Sequence, residues 1–243
     1  MVSKEAPQRG KEMKTVVLLS GGIDSSVLTY ALVSEYEVWP LFINYGQRHL
    51  REIDAANAVC VARGLWLSER LKFVDLSGLG KIIECGLHGQ RLIPDGPYTE
   101  ETIDACVSPN RNMILLAVAA GYAQSIGAEH VAYGAHTNDA VVYSDCRPEF
   151  VASVRETILL GTGSKVALLA PFIGWTKTMI VKFGAGLTVP FAKTWSCYKG
   201  GLHHCGKCPT CLDRKEAFRL AGLEDPTHYE DSDVLTFEMK GQW

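Results

Sequence analysis

Short apolar runs recur along the chain at Val16–Leu19, Val38–Ile43, Leu71–Val74, His130–Tyr133 and Val166–Leu169. Their length and character predict strands, and the β-branched first run reads as a buried one. Between several of them lie stretches of helical length, Ser25–Tyr36, Arg51–Arg63, Arg111–Ile126 and Thr176–Gly184. Strands alternating with helices predict an α/β fold, a doubly wound and mostly parallel sheet. Ligands of such folds sit beyond the carboxyl ends of the strands, so chemistry is expected in the segments that follow strands. No internal repeat or low-complexity tract interrupts the pattern.

The first such segment is Ser20-Gly21-Gly22-Ile23-Asp24-Ser25-Ser26, between the first strand and the first helix. Free N–H groups at a helix start point outward, and the helix dipole favours negative charge. Gly21 and Gly22 let the backbone approach a phosphate, while Ser20, Ser25 and Ser26 add hydroxyl donors. The pattern predicts a turn that binds an anion such as a phosphate. Asp24 needs a further role there, either positioning Mg²⁺ or capping the helix, and Ser25 could also be the cap. The loop is neither G-x-x-x-x-G-K-S/T nor G-x-G-x-x-G.

Composition narrows the class. The chain has 243 residues, 47% of them apolar, enough for one large domain or a domain with an appendage. A net charge of -3 argues against a broad basic surface for nucleic acid. No apolar run reaches the roughly twenty residues of a membrane helix. Residues 1–14 are polar and mixed in charge, without the apolar centre of an export signal. A cytoplasmic protein with no membrane partner is expected.

Later segments add candidates. Asn44-Tyr45-Gly46-Gln47-Arg48-His49 follows the second strand as a polar, aromatic and cationic cluster where a ligand loop belongs. Cys85–Cys106, with Pro94, Gly96 and Pro97, reads as a long irregular stretch, either a lid or binding loop or an insertion without structure. Ser108-Pro109-Asn110-Arg111-Asn112 opens a helix, and Arg111 opposes its dipole unless the partner is an anion. After the fourth strand come His136, Asp139, Tyr143, Asp145 and Arg147. Asp139 and Asp145 could hold Mg²⁺ or accept from the N–H edge of a purine-like base. Lys177, starting the last of these helices, could steady a phosphate or carboxylate as a point charge.

Eight cysteines fall into two sets. Cys60, Cys85, Cys106 and Cys146 are scattered and read as buried thiols. Cys197, Cys205, Cys208 and Cys211 are clustered, and four thiolates can complete a tetrahedral metal site. Gly206 and Lys207 form a knuckle whose amides can hydrogen-bond the sulfurs. Structural zinc is the leading occupant and an iron–sulfur cluster the rival. The resulting division is a disordered tail over 1–13, an ATP-binding α/β domain over 14–190, a zinc-binding segment over 191–225 and a tail over 226–243.

Ser-Gly-Gly-x-Asp-Ser resembles the pyrophosphate loop of the ATP pyrophosphatase superfamily, whose fold is adenine nucleotide alpha hydrolase-like. With Tyr45-Gly46-Gln47-Arg48-His49, Arg111-Asn112, Asp145-Cys146-Arg147-Pro148-Glu149-Phe150, Ser196-Cys197-Tyr198 and Cys205–Cys211, the chain resembles the QueC family of 7-cyano-7-deazaguanine synthases from about residue 14 to about 220. The resemblance implies that 7-carboxy-7-deazaguanine, ATP and ammonia give the nitrile: the carboxylate is adenylated, ammonia forms an amide, and a second ATP activates the amide oxygen for elimination. It implies that Ser20, Gly21, Gly22, Ile23, Asp24, Ser25 and Ser26 hold ATP with Mg²⁺, and that Asp24 and Lys177 are catalytic. Tyr45, Gln47, Arg48, Arg111, Asp139, Asp145 and Arg147 would frame the deazaguanine pocket. Cys197, Cys205, Cys208 and Cys211 would bind zinc, the protein would be a homodimer, and its product would feed queuosine or archaeosine.

Two departures lie near the base pocket: Ser144 stands where the family usually has proline, and Val107–Asn112 carries one residue more than Val-Pro-x-Arg-Asn. The alternative is a defence-system relative that joins a deazaguanine carboxylate to a protein amine. A tRNA-modifying member of the superfamily and a silent ATP-binding or zinc-binding module are further rivals. The acidic balance weighs against the former, and retention of Asp24 and Lys177 against the latter.

Overall fold

The computed structural model describes residues 13–47, 51–65, 70–83, 85–87 and 92–230. Residues 1–12 and 231–243, which hold most of the two expected tails, lie outside these. Strands β1 (Lys14–Leu18), β2 (Glu37–Asn44), β3 (Lys72–Asp75), β4 (His130–Ala132) and β5 (Ala167–Leu169) form one sheet in the order β3-β2-β1-β4-β5. Every pairing is parallel.

The two-residue period of a strand sorts side chains to opposite faces. Val17, Val38 and Phe42 enter one apolar layer, and Val16, Leu41 and Ile43 enter the other. The first layer is closed by α1 (Ile23–Leu32), α2 (Arg51–Arg63), α7 (Lys177–Gly186) and α8 (Pro209–Ala221). The second is closed by α4 (Arg111–Ser125) and α6 (Pro148–Gly161). Central β1 is accordingly apolar on both faces, whereas β3 at the edge is largely exposed. Pro40 sits inside β2 without breaking the ladder. Leu41 accepts from Leu19 N–H on the β1 side, so Pro40 faces the β3 side, where pairing starts only at Leu41.

All five expected strands and the four expected helices are present, α2 with the expected bounds and the others with shifted ends. α1 starts at Ile23 rather than Ser25 and stops at Leu32 rather than Tyr36. The stretch expected to be irregular contains α3 (Glu100–Cys106), begun by a capping box between Thr99 and Thr102. The segment after β4 folds into α5 (Thr137–Val142), a 3-10 turn at Ser144–Cys146 and the long α6. Cys60, Cys85, Cys106 and Cys146 are buried free thiols, as expected.

Sheet order reverses at β1, with β2 on one side and β4 on the other, which opens a crevice beyond their carboxyl ends. The loop after β1, α5 and the start of α7 all border it.

Candidate active site

The loop after β1 is held open by its own serines. Ser25 Oγ accepts from Ser20 N–H at 3.2 Å, and Ser20 Oγ accepts from Gly22 N–H at 3.3 Å. Gly22 is the N-cap of α1 and supplies no side-chain cap, so the expectation that Asp24 or Ser25 caps the helix is corrected: both lie inside its first turn. The helix start therefore keeps amide donors for an anion. Gly21 has φ +84°, and a Cβ there would lie 2.5 Å from Glu52 O and 2.7 Å from Ala56 N on α2. Trp195 N–H fastens the loop from the other side by donating to Gly21 O at 2.9 Å.

Five charged or ionisable groups run in a row beside this loop. Asp139 Oδ2 is 3.3 Å from His136 Nε2, which is 3.5 Å from Asp24 Oδ1. Asp24 Oδ2 is 3.4 Å from Lys177 Nζ, which is 2.9 Å from Asp213 Oδ2. Burial alone would raise the Asp24 carboxyl, but Lys177 and His136 hold it well below the usual carboxylate range. Burial opposes charge on Lys177 as well, and Asp213, Asp24 and Asp139 outweigh it and keep the ammonium protonated. Among the described residues, buried Asp24 Oδ1 finds no hydrogen-bond partner.

These groups form one end of a cavity of about 210 Å³. Its other end is aromatic. Tyr98, Tyr143 and Tyr198 form a chain of phenols with O···O separations of 3.3 and 3.0 Å. Arg111, at the start of α4, donates to Tyr45 Oη at 3.3 Å and lies over the rings of Tyr45 and Tyr143. Glu52 on α2 lines the same space, and burial pushes its carboxyl up to about 7 against the pull of Arg111. A bound planar group with an anionic substituent finds both stacking faces and a guanidinium here.

Of the residues expected to contact ligands, Ser20, Gly22, Ile23, Asp24, Ser25, Tyr45, Gln47, Arg111, Asp139 and Lys177 line this cavity. Gly21 packs on α2 instead, and Ser26 is buried one turn inside α1. Gln47 is spent on protein partners: it accepts from Tyr45 N–H at 2.8 Å and donates to Ile43 O and Glu52 Oε2. Asp145 does not reach the cavity lining; it accepts from Asn112 N–H at 2.9 Å and so anchors the α4 turn that carries Arg111. Arg147 is exposed and donates to Ala140 O at 3.2 Å. Arg48 lies outside the described residues.

Sequence reading placed His136 and Tyr143 in the segment after β4 without giving either a contact, and it missed Asp213, Glu52, Tyr98 and Tyr198 as cavity groups. His136 does follow a strand, where ligand groups collect, and Asp213 stands two residues past the last clustered cysteine. Nothing local marks Tyr98.

Behind this wall, the ligand atoms of Cys197, Cys205, Cys208 and Cys211 all lie within 4.8 Å of one another, and all four residues are buried. The expected knuckle is formed: Lys207 and Cys208 amides donate to Cys205 Sγ at 3.4 and 3.3 Å, and Cys205 N–H donates to Cys197 Sγ. His204 is not part of the cluster, since its Nε2 accepts from Ser196 N–H at 3.0 Å. Fully buried Arg214 on α8 ties the segment to the body. It pairs with Asp225 and donates to Thr194 Oγ1, Ser196 Oγ and Phe191 O. The cysteine segment thus supplies Trp195, Ser196, Tyr198, Thr210 and Asp213 to the cavity.

Comparison with known proteins gives a consistent set of relatives. The family described as "Queuosine biosynthesis protein QueC" matches residues 14–222. A 7-cyano-7-deazaguanine synthase of Brucella anthropi is 45% identical over 229 residues, covering 91% of this chain and 95% of the relative. The synthase of Rhizobium rhizogenes is 45% identical over 233 residues, covering 94% and 97%. Among solved structures, the U34-tRNA thiolase NcsA from Methanococcus maripaludis superposes with a TM-score of 0.48 at 16% identity, covering 91% of this chain and 75% of that one.

Proposed function

Because the chain belongs to the QueC family of queuosine biosynthesis proteins, we infer that it converts 7-carboxy-7-deazaguanine and ammonia to 7-cyano-7-deazaguanine at the expense of ATP. The observation that carries this reading is the likeness to curated synthases over nine-tenths of the chain. The cavity supports it chemically, with an anion-binding turn at one end and an aromatic, cationic pocket at the other.

A carboxylate is a poor electrophile until one oxygen becomes a phosphate ester. In this reading a carboxylate oxygen attacks the α-phosphorus of ATP and pyrophosphate leaves. Ammonia adds to the acyl carbon, and AMP departs with loss of a proton to give the amide. The amide oxygen repeats the attack on a second ATP, and loss of AMP and the nitrogen's protons leaves the nitrile. Most of the acceleration is assigned to positioning and charge stabilisation. The first-turn amides of Ile23, Asp24 and Ser25 take the phosphates, and Lys177 faces the charge that develops at the α-phosphate. Arg111 takes the substrate carboxylate, with Tyr45 and Tyr143 against the ring. The closeness of the Arg111 guanidinium to both rings supports this assignment.

Mg²⁺ fits the charged end, where Lys177 pairs with Asp24 and Asp213, Asp139 lies on the far side of His136, and Asp24 Oδ1 finds no hydrogen bond among the described residues. Asp24 and Asp139 would hold it, and bound there it would neutralise phosphate charge. Zinc fits the cysteine cluster. A tetrahedral ion at Zn–S of about 2.3 Å sets its sulfurs about 3.8 Å apart, and Cys205 and Cys211 Sγ already lie 3.9 Å apart. An iron–sulfur cube spreads its cysteines more widely. The zinc role assigned is structural, and the assembly assigned is a homodimer in the cytoplasm.

The test is stoichiometry. With 7-carboxy-7-deazaguanine, Mg²⁺-ATP and ammonium, two AMP should appear per nitrile. AMP release that does not depend on the carboxylate would contradict the reading.

A further inference from the structure

His136 has no part in the reaction as assigned above, yet its ring is fully buried at the centre of the charged row. It is the N-cap of α5: Nδ1 accepts from Asp139 N–H at 3.4 Å. A backbone amide can only donate, so Nδ1 carries the lone pair and the ring proton sits on Nε2. That one N–H faces two carboxylates from opposite sides of the crevice, Asp24 of α1 at 3.5 Å and Asp139 of α5 at 3.3 Å. Lys177 of α7 and Asp213 of α8 complete the charged surroundings. Without the ring, two carboxylates would confront each other across the sheet's switch point, with Lys177 touching only one of them.

We propose that His136 is a positioning residue that fixes Asp24 and Asp139 in one register, so that together they accept a single divalent cation alongside the nucleotide. The inference rests on the functional reading above and adds the residue that orients its cation ligands. Both flanking contacts are ion-pair separations without hydrogen-bond alignment, and among the described residues His136 Nε2 makes no hydrogen bond. The carboxylates can therefore turn toward a third group while the buried ring keeps them from parting. Groups that orient metal ligands from behind typically contribute about 10–100-fold in metal affinity.

The experiment compares the full-length protein with His136→Leu and His136→Gln. Leucine fills the space without a donor, and glutamine restores an N–H. Free Mn²⁺ is followed by electron paramagnetic resonance during titration in the presence of a non-hydrolysable ATP analogue, and the Mg²⁺ dependence of AMP release is measured in parallel. Expected for His136→Leu is at least about tenfold weaker Mn²⁺ binding and a matching rise in the Mg²⁺ requirement. The KM for the deazaguanine carboxylate should stay within about twofold of the unmodified protein, and His136→Gln should recover most of the Mn²⁺ affinity. Superimposable Mn²⁺ titrations for all three proteins would overturn the proposal, as would equal weakening in both variants. Absence of AMP release from the unmodified protein would instead refute the functional reading, and the Mn²⁺ titration would still decide the role of His136.

Discussion

Replacing Asp24 by asparagine should separate catalysis from folding. The side chain touches His136 at 3.5 Å and Lys177 at 3.4 Å, yet neither partner depends on it. His136 retains Asp139, and Lys177 retains Asp213 at the shorter distance of 2.9 Å. Stranding a buried charge costs about 3–5 kcal/mol, but no charge is stranded here. An isosteric amide then loses one charged contact on each side but keeps the shape, about 1–3 kcal/mol in total. For a chain of this size, at about 2–4 °C per kcal/mol, that lowers Tm by about 2–12 °C. The catalytic cost is far larger, because the group that would anchor the cation is gone: kcat should fall by about 10²–10³. The assay pairs AMP release at saturating Mg²⁺-ATP with a thermal melt of the same preparation. Turnover within threefold of the unmodified protein would refute the role given to Asp24. A collapse of Tm with loss of all activity would refute the argument that its partners are doubly paired.

Three further substitutions probe separate parts of the account. Gly21→Ala places a methyl group 2.5 Å from Glu52 O at φ +84°; it should cost about 1–3 kcal/mol and raise the KM for ATP, and melting together with ATP titration checks both. The Glu52 carboxyl is raised to about 7 in the folded protein, so the native state binds the extra proton and stability falls as pH rises from the unfolded carboxyl value through about 7. Glu52→Gln should therefore gain stability relative to the unmodified protein across that window in urea unfolding, and a pH-independent difference would contradict the burial argument. Cys208→Ser removes one of four clustered sulfurs and should lose metal and stability together; a metal-free variant melting at the original temperature would exclude a structural ion.

The strand–turn–helix order around Ser20–Ser26 was legible in the sequence because its logic is local: a β-branched run, two glycines and a helix start lie within a few residues. The cysteine cluster was legible for the same reason. Side-chain direction was not. Asp145 looked like a ligand group, but the 3-10 turn at Ser144–Cys146 aims it at the α4 amide of Asn112. His136 was named in the segment after β4 but given no role, because its two carboxylates come from α1 and from three residues further on. α6 was hidden by the polar cluster before it, although Pro148 sits at its start and Val151, Val154 and Ile158 bury one face. α8 was hidden by its cysteines, which drew attention as ligands while Pro209 and left-handed Gly222 marked its two ends. The added residue before Arg111 accompanies a left-handed Asn110, a conformation asparagine tolerates well.

The central claim is that ammonia is the nitrogen donor to an adenylated deazaguanine carboxylate. Mass spectrometry after incubation with 7-carboxy-7-deazaguanine, Mg²⁺-ATP and nitrogen-15 ammonium tests it most directly. The expected result is an amide and then a nitrile, each carrying one heavy nitrogen, with AMP. An adenylate that accumulates without taking up the label, or a deazaguanine mass found on a protein amine instead, would contradict it.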